Sequence, residues 1–94
     1  MITLRIEHFV SDYDGWKRAF DGDPVGRRGK GVRNYRIYRA ADDPSLVLID
    51  LEFDDLEHAQ GLLDAMKHVW AGPGRDVMRN PVGRIIETIE MVSL

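Results

Sequence analysis

The order in which two hydrophobic periodicities alternate along 94 residues constrains this chain more than any other feature. Ile2, Leu4 and Ile6 alternate with Thr3, Arg5 and Glu7, the period of two that a half-buried strand requires. A first strand is expected over 2–9, with His8 continuing the apolar face. Tyr13, Trp16 and Phe20 then fall on one helical stripe. Ser11 and Asp14 before it resemble a capping box with Asp in place of Glu, and Gly22-Asp23-Pro24 stops the helix. Gly26 to Gly31 reads as a flexible loop leading to a second strand, about Val32 to Arg39. Ala41-Asp42-Asp43-Pro44 reads as a turn. A third strand over Leu46 to Phe53 places Val47, Ile49, Leu51 and Phe53 on one face. The second helix starts at Asp54 or Asp55, with acids at its positive end. Its expected buried stripe is Leu56, Ala59, Leu63, Met66 and Trp70, and Gly72-Pro73-Gly74 ends it. Arg75 to Asn80 suggests a short helical turn, and Pro81 precedes a fourth strand, about Val82 to Val92.

Strand, helix, strand, strand, helix, strand is the ferredoxin-like βαββαβ order of an α+β domain. It predicts a four-stranded antiparallel sheet with both helices on one face. The helices then cover Ile2, Leu4, Ile6, Ile49 and Leu51. The opposite face keeps Phe9, Tyr38, Leu46 and Leu48 together with alternate residues of strand four, too much apolar surface to stand in water alone. A homodimer through that open sheet face is therefore expected. Ninety-four residues allow one domain, assigned to 1–94, and bury roughly two-thirds of the unfolded surface. With no cysteine, disulfides and thiolate metal sites are excluded, so packing and association must supply the stability.

No stretch approaches the roughly 18 apolar residues of a membrane span, and the N-terminus reads as a strand and not a signal peptide. A cytoplasmic protein with no membrane partner is expected. A net charge of −3 argues against nucleic acid. The charge is uneven: Arg27, Arg28, Lys30, Arg33, Arg36 and Arg39 crowd Val25–Arg39 without an acid, and Ala40–Met66 carries eight acids without Lys or Arg. A hairpin of strands two and three accounts for this. If Ile37 pairs with Ile49, Arg36 lies opposite Asp50.

Val10-Ser11-Asp12-Tyr13-Asp14-Gly15-Trp16-Lys17-Arg18-Ala19-Phe20-Asp21, after the first strand, carries a family likeness. Leu51-Glu52-Phe53-Asp54-Asp55-Leu56-Glu57-His58-Ala59, at the entry to helix two, supports it. Through these segments and its element order the chain resembles the dimeric α/β-barrel superfamily, which includes the antibiotic biosynthesis monooxygenase-like domains. The resemblance implies a sheet-to-sheet homodimer with a pocket between sheet and helices in each subunit. Such proteins include cofactor-free monooxygenases of polyketide-like aromatics, haem-degrading enzymes, cyclases and proteins of no known activity. Haem-degrading members pair a histidine on helix two and a pocket tryptophan with an asparagine on strand one. His68 and Trp70 have counterparts here, but strand one has no asparagine, so the resemblance does not extend to that role.

His8 on the inner face, just before helix one, is the candidate catalytic residue. A buried neutral imidazole can take a proton from an acidic aromatic substrate, although a core-edge histidine bonded to backbone is the more common arrangement. Trp16, Phe20, Arg27, Arg28, Phe53, His68, Trp70 and Met78 are the candidate pocket residues. Trp16 and Trp70 would be the walls, and Arg27 or Arg28 would hold an anionic substituent. Plain core packing accounts better for the tryptophans, and a solvated linker for the basic loop, whose G-x-x-G pattern precedes a strand rather than a helix. Arg33, Tyr35, Arg36 and Tyr38 interleave base and aromatic, but the charged hairpin explains them better than single-stranded nucleic acid does. His58 and His68, ten residues apart on one helix, point roughly 80° apart and are separated by about three turns, so they cannot share a metal. No metal and no cofactor is expected, and no phosphate-binding or dinucleotide fingerprint occurs. The expectation is a small homodimeric pocket protein for an aromatic or apolar compound. If it is an enzyme, it acts as a cofactor-independent monooxygenase or cyclase. The alternatives are a non-catalytic ligand-binding module and a purely structural or stress-related dimer.

Overall fold

A computed structural model describes every residue except Pro73 and Asp76. The elements are β1 (Ile2–Phe9), α1 (Tyr13–Asp21), a 3-10 turn (Arg28–Lys30), β2 (Asn34–Ala40), β3 (Asp43–Phe53), α2 (Leu56–Ala71) and β4 (Arg79–Glu87). The four strands form one antiparallel sheet in the order β2-β3-β1-β4, so the fold is the ferredoxin-like βαββαβ arrangement with β1 and β3 central.

The alternating residues of the central strands divide the sheet cleanly. Leu4, Ile6, Val47, Ile49, Leu51 and Phe53 point inward and are buried together with Trp16 of α1 and with Ala59 and Leu62 of α2. α2 lies directly on β1, β3 and β4. α1 reaches the same core through large aromatic side chains, with Trp16 buried and Tyr13 and Phe20 packed beside it. On α2 the stripe is shifted from expectation. Leu56 is exposed, and the buried centre is Ala59 and Leu62, flanked by Leu63, Met66, Val69 and Trp70. Asp55, at the N-cap, accepts a hydrogen bond from the His58 backbone N–H, which satisfies one of the amides that a helix start leaves open. The capping box expected at α1 does not form: Asp12 is the N-cap, and no side chain bonds there.

Three other expectations are corrected by the sheet. β4 runs from Arg79 to Glu87 and not to Val92, because Glu87 already pairs with Ile2 at the end of β1. The last bond on this edge among the described residues runs from Thr88 N–H to the Met1 carbonyl. Pro81 falls inside β4, which is tolerated because β4 is an edge strand. Arg79 and Asn80 therefore belong to β4. Of the preceding helical turn, the described residues show the bonds from Arg75 N–H to the Gly72 carbonyl and from Val77 and Met78 N–H to the Gly74 carbonyl, and the stop assigned to Pro73 lies outside the described residues. β3 starts at Asp43, so the turn between β2 and β3 is tighter than the sequence suggests.

The charged hairpin pairs in the expected register, with Ile37 opposite Ile49 and Arg36 opposite Asp50. The carboxylate, however, is taken by Arg5, opposite Asp50 on β1, through two hydrogen bonds of 2.8 Å. Arg5 lies on the central strand, so it meets Asp50 where the sheet shields it. Bidentate bonding holds the Asp50 carboxyl below its usual range.

Candidate functional site

The space between the two helices and the sheet is not filled. A cavity of about 250 Å³ lies there. Trp16, Ala19 and Phe20 of α1 form one wall, and Ile6, Ile49 and Leu51 of the sheet form the floor. Leu62, Met66 and Val69 of α2 also line it, and Pro24, Val25 and Arg27, with Gly74, Val77 and Met78, complete the lining. The cause is the uneven spacing of the helices. α2 sits against the sheet, whereas bulky Trp16 and Phe20 hold α1 away from it. The short side chains Ala19 and Val25 do not fill the gap that remains.

Trp16 is the hinge of the aromatic arrangement. Its ring centroid lies 5.1 Å from His8, 5.7 Å from Tyr13 and 5.2 Å from Phe20, and Phe20 lies 5.1 Å from Tyr35. These separations suit tilted and edge-on contacts. His8 is fully buried, and both its ring nitrogens lack a partner among the described residues. It sits where the pairing of β1 with β4 is interrupted between Glu7 and Phe9. Burial pushes its pKa down to about 4, partly offset by the neighbouring Phe9 backbone, which does not reach hydrogen-bond geometry. The imidazole is neutral at pH 7, the state of a base, but it is not in the cavity lining: Trp16 lies beside it and faces the space.

Arg27 is the charged residue of the lining. Asp23 and Gly26, both with positive φ, turn the chain so that Arg27 folds back on the end of α1. The Asp23 carboxylate accepts the Arg27 backbone N–H at 2.8 Å, and Arg27 Nη1 donates to the Phe20 carbonyl at 2.7 Å. The guanidinium carbon lies 3.8 Å over the Phe20 ring and 5.2 Å from that of Tyr35.

Of the sequence candidates, the structure gathers Trp16, Phe20, Arg27 and Met78 around the cavity. Arg28 is exposed on the 3-10 turn, which replaces the flexible loop expected there. Phe53 is buried at the opposite end of the strand pair from His8, beside Ile2. His68 is exposed, with Nδ1 against the Asp64 carbonyl. Trp70 packs over Gly83 on the β4 side, and its Nε1 is buried without an acceptor among the described residues. Sequence reasoning missed Ala19, Val25, Val69 and Val77. Periodicity distinguishes buried from exposed positions, but carries no signal for which buried positions border a gap.

No family model and no curated protein matches the sequence. Solved structures do match. A candidate antibiotic biosynthesis monooxygenase from Nitrosomonas europaea is 18% identical, with 96% of this chain and 100% of that one covered at a TM-score of 0.70. A second such candidate, from Deinococcus radiodurans, is 14% identical over 100% of this chain and 98% of that one, with a TM-score of 0.67. A dimeric ferredoxin-like protein from an uncultured marine organism is 13% identical over 97% and 96% of the two chains, with a TM-score of 0.66. At such identities the likeness is one of fold, and the resemblance read from the first helix and the entry to the second extends over the whole chain: it has the ferredoxin-like fold of the antibiotic biosynthesis monooxygenase-like proteins.

Proposed function

We propose that this chain is a homodimeric pocket protein whose cavity takes a small aromatic or apolar compound. The observation that carries this reading is the unfilled 250 Å³ between α1, α2 and the sheet, walled by apolar side chains. A filled structural dimer would have closed it, because interiors pack to near-crystalline density. The similarity in fold to candidate monooxygenases supports a small-molecule role, and the dimeric neighbour supports the assembly. Melting in the presence of 2-naphthol tests the reading. At 100 times its dissociation constant a ligand stabilises by about 2.7 kcal/mol, and Ala19→Trp, which plugs the rim from an exposed position, abolishes the shift. A shift that survives the plug places binding elsewhere, and its absence in the unaltered protein counts against the pocket.

Catalysis is the finer reading. His8 is the candidate base of a cofactor-independent oxidation or cyclisation, but burial disfavours its protonated form, and a substrate in the cavity meets Trp16 and not His8. The wall between them favours a binding module over an enzyme. Unchanged turnover in His8→Ala, on any substrate found, removes His8 from the chemistry.

A further inference from the structure

We infer that Arg27 makes the cavity selective for apolar monocarboxylates, an aromatic or aliphatic body carrying one carboxylate; this rests on the pocket reading above. Among the described residues the cavity wall is apolar apart from this one charged group. The Arg27 side chain is only 14% exposed, so it is held mostly against protein while its free N–H groups stay reachable. A guanidinium carries five donors. Among the described residues one of them is used, from Nη1 to the Phe20 carbonyl. The Asp23 carboxylate lies 3.5 Å from Nη1, too long for a strong bond, and the same oxygen already accepts the Arg27 backbone N–H. The edge formed by Nε and Nη2 has no protein acceptor among the described residues.

Phe20 and Tyr35 limit the directions from which that edge can be approached. With Phe20 against one face of the guanidinium and Tyr35 nearby, an acceptor approaches in the plane. A carboxylate matches two parallel N–H groups in that plane. A lysine ammonium would supply charge without this fork. The anchors from Asp23 and from the end of α1 hold the group in place before any ligand arrives, which lowers the ordering cost of binding. A neutral compound of the same shape fills the apolar space but leaves the donors of Arg27 unanswered.

Binding of 2-naphthoate and of 2-naphthamide, similar in shape and different in charge, tests this by calorimetry on the full chain. The unaltered protein binds the acid at least about tenfold more tightly than the amide. Arg27→Gln abolishes that preference, the ratio of its affinities for the acid and the amide falling to about one. Arg27→Lys keeps a reduced preference, because charge remains and the fork is gone. Equal binding of acid and amide by the unaltered protein overturns the inference and leaves the pocket reading standing. A preference that survives Arg27→Gln overturns it as well. Failure of both compounds to bind overturns the pocket reading along with it.

Discussion

At His8 the fold places a titratable ring where neither ionisation nor hydrogen bonding is served. The sign of the consequence follows from the shift. An imidazole in the unfolded chain titrates near 6.5 and in the folded chain near 4. Between these values the unfolded state holds a proton that the native state does not. Stability is therefore complete above about pH 6.5, declines as pH falls toward 4 and levels below, a change of about 3 kcal/mol across the window. Urea denaturation of His8→Leu should show that slope gone, and a neutral-pH stability at or above the parent's, because a buried unpaired polar group costs about 1–3 kcal/mol. A variant as acid-sensitive as its parent between pH 6.5 and 4 assigns the titration to another group. Asp50, whose carboxyl is held low by Arg5, acts in a separate window, losing its contribution only as pH drops below the usual carboxylate range. The inward direction of His8 was legible from strict alternation along β1. Its separation from the cavity by Trp16 was not, since that depends on how two elements distant in sequence come to rest on one another.

The joint between the basic turn and α2 shows what the elements require of each other. Gly31 ends the 3-10 turn at φ 95°, and a Cβ built there would lie 2.9 Å from the His58 ring on the first turn of α2. His58 is itself fixed by Asp55, whose carboxylate meets both its backbone N–H and its Nδ1. Gly31→Ala therefore combines a left-handed backbone with a steric contact, and a loss of about 1–3 kcal/mol is expected in chemical denaturation. Adding His58→Ala should recover the part of the steric share that comes from the ring, though not the contact with the His58 Cβ at 3.2 Å nor the backbone share, so the double variant lies between the parent and Gly31→Ala after correction for His58→Ala alone. Full additivity would separate the two residues. The glycines at 26, 29 and 31 suggested looseness to a reader of the sequence. Their setting is ordered instead, because the amides of Lys30, Gly31 and Val32 all find carbonyl acceptors within the turn. The end of β4 misled for a similar reason: alternation continues through Ile89 and Met91, yet a strand lasts only as long as its neighbour, and β1 begins at Ile2.

For the molecule as a whole, the decisive quantity is the sheet face that no helix covers. Phe9, Leu46, Leu48 and Ile86 are half-buried there and Tyr38 and Val82 exposed, around a row formed by Arg36, Asp50, Arg5 and Arg84. Four strands about 4.8 Å apart and about eight residues long give a face of roughly 19 by 26 Å, or about 500 Å² in projection. A stable interface removes about 800 Å² per partner, so the flat face needs help from its margins. The segment after β4 is the available source: Ile89, Met91 and Leu94 are at least 86% exposed, on a tail leaving the sheet beside Met1. Two changes should therefore weaken the proposed dimer by different routes. Leu48→Asp puts a charge at the middle of the apolar face near Glu7, its neighbour across the β1–β3 pair, and should give monomer at micromolar concentration. Ending the chain at Glu87 should raise the dimer dissociation constant by about tenfold or more while leaving the monomer folded, since the tail makes no part of the core. Light scattering and sedimentation measure both. A parent chain that runs at 10.8 kDa at micromolar concentration refutes the assembly itself. A truncated chain that dimerises as tightly as the parent confines the interface to the sheet face, and the apolar tail would then be left without a structural role.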